Sequence, residues 1–253
     1  MPELTPLSNE NHRDLRVVDN AINLFAAKQH VIRVQATEIG KAVANFPVMF
    51  NRNPNSGNWA ISAMTSLEAD NNLSVKDGEW VAAYRPISLE AHPLYLLNAP
   101  ETEEGYAVGI FEEGGDFSRE SGERLFDDEG KPSAYLSRMT TLLEDGIEEE
   151  VRSQAFIKTL NELGLLRSID IHVYYEDETI KTITGLMVLD EDKLKDLSAE
   201  QLADFNQKGY LVPMHATLVS VFQLNALVRR HNEAGLQPVK QVKVSVTRDA
   251  GAE

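Results

Sequence analysis

The chain has 253 residues, long for one average domain and short for two, with 24 basic against 40 acidic residues and a formal net charge of −16. That balance argues against a nucleic-acid surface, which needs clustered cations that displace counterions from phosphates. The absence of cysteine excludes a disulfide framework, a thiolate metal site and a cysteine nucleophile.

Residues 1–15 are polar and proline-punctuated and read as a loose terminus, as do residues 248–253. The opening Met1-Pro2-Glu3-Leu4 lacks the basic and apolar regions of a secretory signal, so a cytoplasmic protein is expected. Val31-Ile32-Arg33-Val34 reads as a short strand. Thr37 is placed to cap a helix over residues 39–45 that Pro47 ends. Pro47–Asn51 and Trp59–Leu67 read as strands around a turn. Asp77-Gly78 predicts a hairpin before a strand from Trp80 to Tyr84. Leu94–Leu97 and Tyr106–Ile110 are further strand candidates. From Glu101 to Gly130 eleven acidic residues face only Arg119 and Arg124. A solvated acidic face explains that excess more simply than a partner surface.

Beyond this segment the pattern changes. Tyr135–Leu143 and Val151–Leu163 follow helical spacing, with Gly164 as the C-terminal cap. Leu166–Tyr175 and Ile180–Leu189 predict a hairpin. Two short helices follow at Asp190–Asp196 and Ser198–Lys208, the second opened by a Ser198…Gln201 capping box. One long apolar helix is expected over Pro213–His231, and the alternating Val239–Val246 stretch fits an edge strand or a tail. The class is α+β: an antiparallel, sheet-rich first half packed with a helix-rich second half around one connected core, in a single domain over residues 1–253.

Several of these segments occur in a recognisable order. Phe46-Pro47-Val48-Met49-Phe50 is followed by Asp77-Gly78-Glu79-Trp80 and Tyr84-Arg85-Pro86. Leu125-Phe126-Asp127-Asp128-Glu129-Gly130-Lys131-Pro132, Leu163-Gly164-Leu165-Leu166, Gly185–Glu191 and a terminal apolar helix with Ser220 come next. Together they resemble the bacterial SapC family. The resemblance implies a link with surface-layer proteins by name, and an accessory role beside outer-membrane transporters, halogenase-like and cupin-like proteins. It implies no chemistry. The segment Ile87–Pro93 departs from the basic and aromatic continuation that is usual in the family.

The histidines His12, His30, His92, His172, His215 and His231 show no metal-ligand spacing. There is no nucleophile elbow and no phosphate-binding glycine loop, so neither metal nor cofactor is expected. Trp59, Trp80 and Tyr84 beside Asp77 and Arg85 could line a ligand pocket, with Arg85 as a carboxylate clamp; the plainer alternative is that the tryptophans anchor the core. The expected function is a non-enzymatic accessory or binding protein for a sugar, peptide or aromatic compound, or for a protein partner. No membrane insertion is expected, and self-association stays open. The alternatives are an enzyme or inactive enzyme relative with Arg85, His92 and His215 in its pocket, and a surface-layer component.

Overall fold

Met49 and Phe50 are adjacent and both buried, yet they belong to different apolar clusters. Successive side chains of a strand point to opposite faces, so the strand Val48–Arg52 is covered on both sides. It lies inside a six-stranded sheet, whose order from one edge is Val239–Val246, Leu166–Tyr175, Ile180–Leu189, Val48–Arg52, Trp59–Met64 and Val31–Val34. Every pairing in it is antiparallel. The structure is a computed structural model that describes residues 3–52, 57–100 and 105–247.

The chain divides into two compact units, Met1–Ala26 with Ile87–Glu148, and Ala27–Pro86 with Glu149–Glu253. The six-stranded sheet belongs to the second. Phe50 packs in a cluster with Phe156 and Leu160 of the helix Ala134–Glu162, Phe205 of Ala199–Gln207 and Met214 of Leu211–Ser220. Met49 packs instead with Ile171, Val173 and with Leu224 and Leu227 of the helix Gln223–Glu233. The first unit pairs Leu94–Asn98 with Tyr106–Ile110 and adds Thr5–Pro6 at the edge. It also holds a small ribbon in which Arg16–Val17 lies between Phe117–Ser118 and Glu123–Arg124. Its buried residues include Leu94, Ile110, Leu125, Leu136 and Met139.

The α+β class is as expected, with antiparallel sheets early and helices concentrated late. The largest sheet takes three strands from each half of the sequence. The strand Val31–Val34, the hairpin Leu166–Tyr175/Ile180–Leu189, the Gly164 cap and the Ser198 capping box all form where their signals lie. Val239–Val246 resolves as an edge strand.

Four local expectations need correction. The helix Ala134–Glu162 runs unbroken through residues 144–150. That stretch offers little apolar signal, but glutamate favours helix and a single Gly146 costs only about 1 kcal/mol. The long apolar helix is instead two, Leu211–Ser220 and Gln223–Glu233, meeting at 45°. The bend lets Met214 and Leu224 enter different clusters. At it, the buried Ser220 hydroxyl accepts from Val48 N at 3.0 Å. Thr37 does not cap a helix: Gln35 and Glu38 form the capping box of the 3-10 turn Ala36–Glu38, and Ile39–Ala42 follows. Within the N-terminal stretch expected to be loose, Thr5–Pro6 pairs as a strand and Asn9–His12 forms a helix. Residues 248–253 lie outside the described residues. Among the described residues no single helix is long and apolar enough to cross a membrane.

Candidate functional site

A carboxylate buried to 2% exposure needs donors, and Glu38 has them. Gln35 N donates to one oxygen at 2.7 Å and the Tyr84 hydroxyl donates to the other. Ser153 completes the turn, accepting from Ala36 N at 2.8 Å and donating to Gln35 Oε1 at 2.9 Å. The segment Ala36–Gly40 is therefore held rigidly from two directions.

This braced segment forms one wall of a cleft of about 650 Å³, through Ala36, Thr37 and Gly40. Arg152 and Ala155 of the long helix form the second wall. The third is the turn Lys208-Gly209-Tyr210 with Val212 and Pro213. The space exists because Ala36, Gly40, Ala155 and Gly209 put almost no side chain into it. At Gly40 an added Cβ would meet nothing within 4 Å. Tyr210 is fixed by an edge contact with Phe156, ring centroids 4.9 Å apart.

The polar members sit at the rim. Glu149 accepts from the Thr37 hydroxyl at 2.7 Å and from Arg152 at 2.9 Å, tying two lining residues together. Lys208 donates to Asp204 at 2.7 Å. The Arg152 side chain is 63% exposed and that of Lys208 46%, so an incoming anion could share them at modest desolvation cost. The volume falls within the usual range for small-molecule sites, and the mixture of apolar walls with few oriented polar groups is the usual chemistry of such sites.

The residues expected from sequence lie outside the lining of this cleft. Trp80 and Tyr84 come together, with Trp80 Nε1 donating to Tyr84 O at 3.2 Å and the Arg85 guanidinium lying 5.6 Å from the Trp80 ring centroid. Arg85 is not on a strand, because the strand ends at Trp80. Asp77 occupies the exposed hairpin turn with Gly78, at φ +52° and +80°. Trp59 stands on Trp59–Met64 with Arg52 5.9 Å from its ring, and both tryptophans pack against the same apolar cluster. None of the five lines the cleft. Tyr84 reaches it indirectly, through Glu38. Sequence reasoning missed Glu38, Gly40, Arg152 and Lys208; only the Gln35-x-x-Glu38 spacing carried a local signal.

Of the alternative trio, Arg85 and His215 belong to one unit and His92 to the other. His215 is exposed, its Nδ1 2.7 Å from Leu211 O. His92 is buried, stacked on Phe25 at 4.0 Å and 3.2 Å from the Tyr95 hydroxyl. Asp116 Oδ1 lies 3.2 Å from His92 Nε2, close enough for an ion pair but out of line for a hydrogen bond. Burial lowers the His92 pKa and outweighs the Asp116 carboxylate; burial also raises that of Tyr95. A histidine depressed below its ordinary value binds its proton more readily in the unfolded chain. Its stabilising contribution is thus complete above about pH 6.5 and is lost as pH falls through the folded value. Urea unfolding between pH 7 and pH 5 should show a steeper loss in the parent than in His92→Gln. Parallel profiles would contradict this.

The acidic segment is partly used by the structure itself. Asp127 accepts from Glu129 N and Lys131 N, both at 2.9 Å, and the Lys131 amide does most to hold its carboxyl below the usual range. Residues 101–104 lie outside the described residues. Among the described residues no group of three or more histidines and carboxylates could hold a metal ion.

The model of the SapC family matches residues 7–227 of the chain, which takes in the motif order from Phe46 through Ser220. No curated protein and no solved structure matches it.

Proposed function

Since the chain belongs to the SapC family, we propose its function from its own geometry: it is a binding protein whose cleft holds a small, largely apolar molecule with an acidic end. The observation that carries this reading is the 650 Å³ space between the braced Ala36–Gly40 segment, the long helix and the Lys208–Pro213 turn. Apolar walls favour an aromatic or aliphatic body over a sugar, which would need many more oriented donors and acceptors. Arg152 and Lys208 favour a carboxylate at the rim. The proposal extends to an accessory, non-enzymatic role in the cytoplasm, as expected from the sequence; at the cleft, Thr37, Arg152 and Lys208 would serve to orient the ligand.

Titration calorimetry with aromatic and aliphatic carboxylates, each beside its neutral amide, tests the proposal. The carboxylate should bind and the amide should bind less tightly. Glu149→Gln should then raise carboxylate affinity by roughly two- to fivefold, because it removes a competing charge from Arg152 and Thr37. A fall in affinity would show that Glu149 serves the ligand by positioning Arg152, and would overturn the charge argument.

A further inference from the structure

The cleft does not end in a polar surface. Val212, which lines it, is 72% exposed, and Val219 at 59% and Phe222 at 75% continue from it on the helix Leu211–Ser220 and at its bend. At about 100° per residue, Val212 and Val219 fall in nearly the same phase, and Phe222 follows just past the helix, at the 45° bend. From Val212 to Val219 the helix advances about 10 Å, at 1.5 Å rise per residue. The exposed His215 is a polar but formally uncharged neighbour on the same helix. In a chain of net charge −16 there is no Asp, Glu, Lys or Arg anywhere from Leu211 to Val228. Exposed apolar residues are ordinary when scattered; a line of large ones leading out of an apolar cleft is the mark of a binding surface.

We infer that the ligand is a linear amphipathic carboxylate, a fatty acid or acyl compound. Its acidic end is held at Arg152 and Lys208, and its hydrocarbon chain leaves the cleft over Val212 along Val219 and Phe222. Two features select this occupant. Cations stand at the cleft and an uncharged apolar stripe leads away from it, so charge and apolar surface are arranged end to end. Val212 belongs to both, which makes cleft and stripe one continuous surface. A compact aromatic acid would fill the cleft and leave the stripe in water. This inference rests on the cleft reading above and adds the shape of the ligand to it.

Calorimetry with butanoate, octanoate and dodecanoate, each kept monomeric, tests it in the parent, in Val219→Ser/Phe222→Ser and in Gly40→Leu. The first variant changes only exposed side chains, so its melting temperature should stay close to the parent's. Each methylene that gains apolar contact tightens binding by roughly two- to fourfold. Dodecanoate should therefore bind the parent at least tenfold tighter than octanoate. That gain should vanish in Val219→Ser/Phe222→Ser while octanoate binding is unchanged, and all binding should weaken in Gly40→Leu. Equal affinity for octanoate and dodecanoate, or no loss in the double variant, would overturn the extended site and leave the cleft standing. Dodecanoate binding that survives Gly40→Leu would place the chain elsewhere and overturn the inference. No binding of any carboxylate to the parent would remove the cleft reading as well.

Discussion

Phe156→Ala should cost about 3–5 kcal/mol, the range for truncating a fully buried aromatic side chain. Phe156 has no exposed surface and packs between Phe50, with ring centroids 6.2 Å apart, and Tyr210 at 4.9 Å. The cavity would open where the long helix, the central strand and the cleft wall meet. Total stabilities are commonly about 5–15 kcal/mol, so the loss is a large share. Melting should fall by roughly 6–20 °C for a chain of this size. Both tryptophans, Trp59 and Trp80, pack against the cluster that holds Phe156, so their fluorescence follows the affected unit. A variant that melts within about 3 °C of the parent would contradict the packing described.

Gly122→Ala should produce a comparable loss in the other unit. Gly122 adopts φ +111°, and an added Cβ would stand 2.1 Å from Val17 O and 2.8 Å from Val17 C. Those atoms are backbone of Arg16–Val17, the middle strand of the small ribbon, so they cannot swing away as a side chain would. The backbone conformation alone costs a side-chain-bearing residue about 1–3 kcal/mol. The displaced strand and the strained Arg16–Gly122 hydrogen bond, now 3.2 Å, add to it. Urea unfolding followed by circular dichroism should show a destabilisation of roughly 2–4 kcal/mol. An unchanged unfolding curve would mean that the ribbon does not close on Gly122 as described.

What was legible in the sequence was local. Asp77-Gly78 announced its turn because both residues tolerate positive φ, and the alternation through Ile169, Ile171 and Val173 announced a half-buried strand. The capping box at Ser198 is likewise a spacing of three residues. The pairing of Phe50 with Met187 is of another kind, since nothing local links segments so far apart. The cleft was invisible for the same reason. Its walls come from residues 36–40, 152–155 and 208–213, and what makes it a cleft is the lack of side chains at Gly40, Ala155 and Gly209. Of the aromatic residues expected at the site, Tyr84 matters to the cleft as bracing: it holds Glu38, and Glu38 holds the turn. The expected strand from Trp80 to Tyr84 does not form: those residues look like a strand by composition, whereas pairing stops at Trp80.

The most direct test of the central claim fills the cleft and asks whether binding disappears. Gly40 is exposed and helical, and a side chain there would project into open space, so Gly40→Leu should fold at least as well as the parent. Octanoate titrated calorimetrically into both proteins is expected to bind the parent and to bind Gly40→Leu at least tenfold more weakly, with the variant's melting temperature equal or higher. Undiminished affinity in a folded Gly40→Leu would show that the ligand does not occupy the cleft.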